Sequence, residues 1–316
     1  MYTRPGMSIG DLWPFCDEKG MIHLFCLTAP AGDPDPAWEI SHLTGTDLVN
    51  WEYHGAVLSR GAAGSFDDAG LATGSVMKHE GRYYMAYTAH STREKIKCGS
   101  IGLAVSDDLF HWEKAVDAPI ATLDPVHYED EITGSRPFLH WRDPFLFRHD
   151  GLFHLALCAR RKNGPIKTRG AVAHLVSSDL HHWETLPPFQ TEPLCEEMEC
   201  PQLHRIHSRW FLLFSTHRDL IDPPVVEAEP GISGGVFVQT APSLDAPFTR
   251  SGSGYIPVSM PECYFYAPQL LCLHGRYWLL GTRWIQECGS ISDPVEILID
   301  ENRMIPLNNN EKGVPA

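Results

Sequence analysis

The chain has 316 residues, 43% of them hydrophobic, and a net charge of −15. That length suits one large domain or two ordinary ones, and the apolar content excludes a disordered chain. So acidic a balance repels phosphate backbones and anionic lipid, which argues against nucleic acid or a membrane surface as partner.

The first residues, MYTRPGMSIGDLW, carry no basic segment followed by an apolar stretch, so no secretory signal is read there. No apolar run approaches the roughly 18 residues of a membrane span. Nine cysteines without a CxxC pair suit reduced thiols, and hence a cytoplasmic location, better than a disulfide framework. Seventeen histidines show neither HExxH nor a Cys/His ligand spacing. No metal or organic cofactor is therefore expected, and His181–His182 read as turn residues.

Along the chain one pattern recurs: an apolar strand, a turn with Gly or Ser, then an aromatic and aliphatic strand. It appears as DLWPFCDEKGMIHLFCL from Asp11, TGSVMKHEGRYYMAYTA from Thr73, DPFLFRHDGLFHLALCA from Asp143, CPQLHRIHSRWFLLFST from Cys200 and APQLLCLHGRYWLLGTR from Ala267. The turns fall at Gly20, Gly81, Gly151, Ser208 and Gly275, spaced by 61, 70, 57 and 67 residues. Period-2 alternation around a tight polar turn predicts a hairpin in each unit. A second landmark, TDLVNW, SDDLFHW and SSDLHHW, ends at Trp51, Trp112 and Trp183, which lie 31, 31 and 32 residues after their turn glycines. The fourth unit has a weaker SLDAPF ending at Phe248, and ISDPVEILI echoes it in the fifth. Five all-β units of about four strands predict a five-bladed β-propeller over residues 1–316, with a polar tail after about residue 305. The stretch LIDPPVVEAEPG (220–231) reads as a loop inserted near the site.

In a propeller the innermost strands line the axis, so residues at their starts converge on one rim. Relative to the turns, Asp11, Asp143 and Glu199 stand at −9, −8 and −9, one expected structural position on three blades, with Arg142 beside them. Crowded acids raise one another's pKa. Such a rim suits a general acid paired with a carboxylate that stays ionised, the pair that glycoside hydrolysis needs. Trp13 and Trp38 are candidate sugar-stacking platforms. Asp68 and Thr73 sit in the second blade's rim segment, and Tyr266 holds the matching position on blade five.

Several segments are similar to glycoside hydrolase family 32, the β-fructosidases. WRDPFLF (141–147) resembles that family's Arg-Asp-Pro motif and MECPQL (198–203) its Glu-Cys-Pro motif. SIGDLWPFCDEKGMIHLF (8–25) resembles its first motif, FDDAGLATGS (66–75) its Asp-x-x-Gly segment, and IGLAVSDDLFHWE (101–113) follows the same pattern. The resemblance implies a five-bladed propeller. It also implies Asp11 as nucleophile, Glu199 as acid/base, and Asp143 as the group that binds sugar hydroxyls and steadies the transition state, with Arg142 orienting the site. The chain departs from the family at Gly10-Asp11-Leu12-Trp13-Pro14, where the family has Asn-Asp-Pro-Asn-Gly, and at Gln202, where it has Asp. The family's C-terminal β-sandwich is not read after the fifth unit, and an apolar propeller surface covered by a second copy of the chain is the expectation that follows.

The expected activity is retaining hydrolysis of a β-fructofuranoside or similar small furanoside. The alternatives are transfer of the sugar to another acceptor, an inverting family 43-type arabinofuranosidase or xylosidase, and a propeller that binds sugar without cleaving it.

Overall fold

A computed structural model describes residues 1–33, 37–258, 264–285 and 288–307. Blade one is an antiparallel sheet of β1 (Met7–Cys16), β2 (Ile22–Pro30), β3 (Glu39–Gly45) and β4 (Glu52–Leu58), in that order. Blade two repeats it with β5 (Gly70–His79), β6 (Arg82–His90), β7 (Ser100–Ser106) and β8 (Glu113–Lys114). Blade three has β9 (Arg142–His149), β10 (Leu152–Arg160), β11 (Gly170–Ser177) and β12 (Glu184–Leu186). Blade four has β13 (Glu199–Ile206), β14 (Arg209–His217) and β15 (Gly234–Ala241), with isolated bridges Phe237–Tyr255 and Thr240–Thr249 along its outer edge. Blade five has β16 (Tyr264–Leu273), β17 (Arg276–Ile285), a short β18 (Cys288–Ile291), β19 (Val295–Asp300) and β20 (Arg303–Pro306).

The first strand of each blade packs on the first strand of the next, and β16 returns to β1, so the ring closes as the sequence predicts. Closure is also hydrogen-bonded: Tyr2 bridges Ile291, Thr282 Oγ1 donates to Gly10 O at 2.9 Å, and Gly289 N–H donates to Ser8 Oγ at 3.0 Å. The chain from 220 to 231 is not all loop: it carries a one-and-a-half-turn helix, α1 (Pro223–Ala228), immediately beyond the end of β14. The tail beyond residue 307 lies outside the described residues. No helix among the described residues is long and apolar enough to cross a membrane.

The tryptophan landmarks are a turn device between the third and fourth strands. Asp108 Oδ1 accepts Phe110 N–H and His111 N–H at 2.8 Å each, and Asp179 Oδ1 accepts His181 and His182 N–H at 2.9 and 2.8 Å. These turns force the intervening leucine left-handed: Leu48, Leu109 and Leu180 have φ of 64, 70 and 69°. Left-handed backbone costs a non-glycine residue about 1–2 kcal/mol. Burying a leucine returns about 1.5–3 kcal/mol, and each of these three is 2% exposed. Trp112 and Trp183 then cap the turn by donating Nε1–H to the carbonyls of Leu109 and Leu180.

A register irregularity common to all five blades matters most for the site. In each first strand the ladder slips by one extra residue: between Ile9 and Leu12, Ala72 and Gly74, Arg142 and Phe145, Glu199 and Gln202, and Tyr266 and Gln269. Such bulges bend the strand and re-aim side chains. Pro144, Pro201 and Pro268 occupy three of them, where no ladder N–H is required.

Candidate active site

The bulges assemble a carboxylate pocket at the end of the ring where the first strands begin. Asp143 is 5% exposed and lies in the left-handed region with φ of 58°, as do Cys200 (47°) and Ala267 (46°) at the same bulge position. The neighbouring blade holds this backbone. Asp143 N–H donates to Thr88 Oγ1 at 2.9 Å, and that hydroxyl donates to Thr73 O. Ala267 N–H donates likewise to Ser215 Oγ at 3.1 Å.

Asp11 is oriented by Thr73, whose Oγ1 donates to Oδ2 at 2.6 Å, and by the Cys200 thiol 3.8 Å from the same oxygen. Asp143 Oδ2 accepts Cys200 N–H at 3.1 Å. A ligand atom from each of Asp11, Asp143 and Cys200 lies within 4.8 Å of the others, so the two carboxylates face one another directly. Glu199 is gripped at both oxygens. Arg142 Nη2 donates to Oε1 at 2.5 Å, and the Tyr266 hydroxyl donates to Oε2. Arg142 also donates to Glu197 Oε2 at 3.2 Å and to His140 Nδ1 at 2.6 Å, and its Nε stands 3.6 Å from Asp143 Oδ2.

Burial, opposed by Arg142, pushes the Asp143 carboxyl up to about 7, and the charges of Asp11 and Glu199 push it the same way. Asp11 is raised too, first by desolvation, against the Thr73 hydrogen bond, with Glu199 adding to the rise. Removal from water therefore outweighs the mutual repulsion of the acids, which the sequence alone had put first. The site can hold the Asp143 carboxyl partly protonated near neutral pH, beside a raised Asp11 and an arginine that anchors Glu199.

Three expectations change. The three acids do not share one structural position. By strand pairing, Glu199 matches Arg142 and Tyr266, Asp143 matches Cys200 and Ala267, and Asp11 matches the bulge prolines. The one-residue insertion, not a common register, brings them together. Trp13 is 1% exposed and packs among Phe25, Leu71 and Tyr87 between blades one and two, so it is core and offers no face to a sugar. Asp68 is a loop clamp: its two oxygens accept Gly64 N–H, Thr92 N–H and the hydroxyls of Thr92 and Ser91 at 2.7–3.1 Å. Four donors saturate that carboxylate and hold its pKa well below the usual range; the loops it pins line a cleft of about 580 Å³.

Trp38 is half-buried, with its ring edge 3.5 Å from where a Cβ on Gly10 would sit, beside Asp11. Thr73 and Tyr266 reach the carboxylates and not open space. Residues the sequence reading missed are Thr88, Cys200, Glu197 and His217. A signal existed for the first: Thr28, Thr88, Cys158, Ser215 and Thr282 stand seven or eight residues after their turns, a small polar residue opposite every bulge.

Comparison with known proteins agrees with this architecture. Residues 9–225 match the model of the glycosyl hydrolases family 32 N-terminal domain, and the chain belongs to that family. The chain is similar to sucrose-6-phosphate hydrolase of Bacillus subtilis, 27% identical over 208 residues, which is 62% of this chain and 39% of that protein. Among solved structures it resembles inulosucrase from Halalkalicoccus jeotgali bound to kestose, with TM-score 0.78, 20% identity, and coverage of 96% of this chain and 87% of that one. It also resembles sucrose-6-phosphate hydrolase from Lactobacillus gasseri, with TM-score 0.74, 23% identity, and coverage of 94% and 60%. These likenesses carry the five-bladed fold. The matched part of the chain spans 39% of the length of the Bacillus subtilis relative.

Proposed function

We propose that this propeller hydrolyses a β-fructofuranoside by double displacement with retention. One observation carries the reading: three acids from three blades meet on one rim, with one arginine anchoring Glu199 and two carboxylates facing across the pocket. Asp11, oriented by Thr73, attacks the anomeric carbon as the bond to the leaving oxygen breaks. Glu199 protonates that oxygen, then takes a proton from the water that cleaves the covalent intermediate. Asp143 accepts hydrogen bonds from ring hydroxyls, and Arg142 fixes Glu199 and balances the acids' charge. Trp38 is the remaining candidate platform for an apolar sugar face. Family membership and a sucrose-6-phosphate hydrolase among the relatives support a sucrose-type glycoside as substrate. Free thiols at Cys16, Cys26, Cys98, Cys158, Cys195, Cys200 and Cys272 support a reducing compartment.

Glu199→Gln tests the reading. On a panel of natural and chromogenic furanosides it should lower kcat by roughly 10²–10⁴, the range general acid–base catalysis supplies, and leave binding near wild type. Wild-type protein that binds fructosides and cleaves none would favour a sugar-binding propeller instead.

A further inference from the structure

Glu199 Oε2 has a second neighbour besides Tyr266. His217, the last residue of β14, brings Nε2 to 3.9 Å from that oxygen. Its ring stacks on Tyr266, with centroids 4.4 Å apart and planes 23° from parallel. Its side chain is 37% exposed, at the open end of the pocket. Chain direction explains the arrangement. Glu199 pairs with Ser215 across the hairpin, so two residues further on β14 emerges above the carboxylate. Among the described residues, the charged and titratable groups facing Glu199 are Arg142 from β9, Tyr266 from β16, His217 from β14, the thiols of Cys200 and Cys158, and Asp11 and Asp143 across the pocket. Arginine keeps its charge throughout the working pH range, and tyrosine remains neutral there. Histidine is the residue whose charge changes in that range.

We infer that His217 is a positioning residue that couples the protonation of Glu199 to pH, through its approach to Oε2 and its stack on the tyrosine that donates to the same oxygen. The inference rests on the acid/base role proposed for Glu199. When His217 carries a proton, its charge favours the carboxylate and opposes the acid form that protonates a leaving oxygen. When neutral, it releases that form. Arg142 cannot do this, because its charge does not change.

Two measurements test it on the full chain. The first is the pH dependence of kcat/KM on a fructoside for wild type, His217→Gln and His217→Arg. A permanent cation should move the alkaline limb to lower pH, and a neutral amide should move it to higher pH. The two variants should differ by on the order of one pH unit, as expected for a unit charge about 4 Å away in a half-wet site. Parallel profiles that differ only in height would mean that His217 merely packs against Tyr266, and would overturn the inference while leaving the acid/base role of Glu199 intact. The second needs no turnover. The NMR titration of the His217 ring, identified by its loss in His217→Gln, should move to lower pH in Glu199→Gln, because a neighbouring negative charge is gone. An unmoved titration also overturns the inference. Wild type inactive on every fructoside, with the titration shift present, overturns the hydrolase reading and with it the regulatory meaning of the pair.

Discussion

Two buried charge clusters flank blade three and use similar residues to opposite ends. In one, Arg160, 2% exposed, lies between Glu129 and Glu196, with Nε 3.2 Å and Nη1 3.4 Å from their oxygens. Arg169 reaches Glu129 at 2.9 Å and Lys167 reaches Glu196 at 3.1 Å, while Ser135 donates both N–H and Oγ–H to Glu196. Three cations, with Ser135 and Thr133 as further donors, meet two acids. Burial would raise the Glu196 pKa, but Ser135, Lys167 and Arg160 overcome it and hold it low. At the rim, Arg142 faces Asp143, Glu197 and Glu199, with Asp11 across the pocket; Arg136 and His140 reach Glu197 and help hold its pKa low, while the pKa values of Asp11 and Asp143 are raised. A matched cluster locks loops together, whereas an undercompensated one keeps protons exchangeable at neutral pH.

Substitutions should split along this line. Arg160→Met leaves two buried acids short of a cation and should cost about 3–5 kcal/mol of stability, with kcat of the remaining folded protein unchanged; chemical denaturation beside active-site titration checks both. Asp143→Asn should do the reverse. Folded Asp143 titrates near 7, against about 3.9 unfolded. The folded chain therefore holds the extra proton between those values, and stability falls as pH rises through that window. The amide removes this penalty, so melting at pH 8 should show a gain of about 1–3 kcal/mol while turnover is lost. Thr73→Val removes one hydrogen bond to a charged acceptor, worth about 1.5–3 kcal/mol. It should lower kcat some 10- to 100-fold and the melting temperature by only a few degrees. If Thr73→Val instead unfolds the protein and spares kcat in what remains, the rim is structural in the way the Arg160 cluster is.

Much of the fold was legible because each unit repeats its own cues. Turn glycines and Asp-Leu turns recur at intervals that local chemistry imposes, and a strand with one hairpin partner has few alternatives. The site was legible as a set of residues but not as a geometry. A bulge adds one residue without changing composition, so Asp143 and Glu199 looked equivalent when Arg142 is the residue that matches Glu199. The prolines at 144, 201 and 268 were the available clue. Trp13 was misread because first strands are covered on both faces, which removes the alternation that separates pocket from core. Asp68 was misread because its donors are mostly backbone N–H groups and hydroxyls of two loops, whose closure no spacing announces. His217 escaped because it lies outside every motif, and only the reach of β14 beyond Ser215 brings it to Glu199.

The most direct test follows the anomer first released from a β-fructofuranoside by rapid ¹³C NMR. Attack by Asp11 followed by water gives the β-anomer first, with mutarotation appearing later. Initial release of the α-anomer would mean that water attacks directly, and that Asp11 is not the nucleophile.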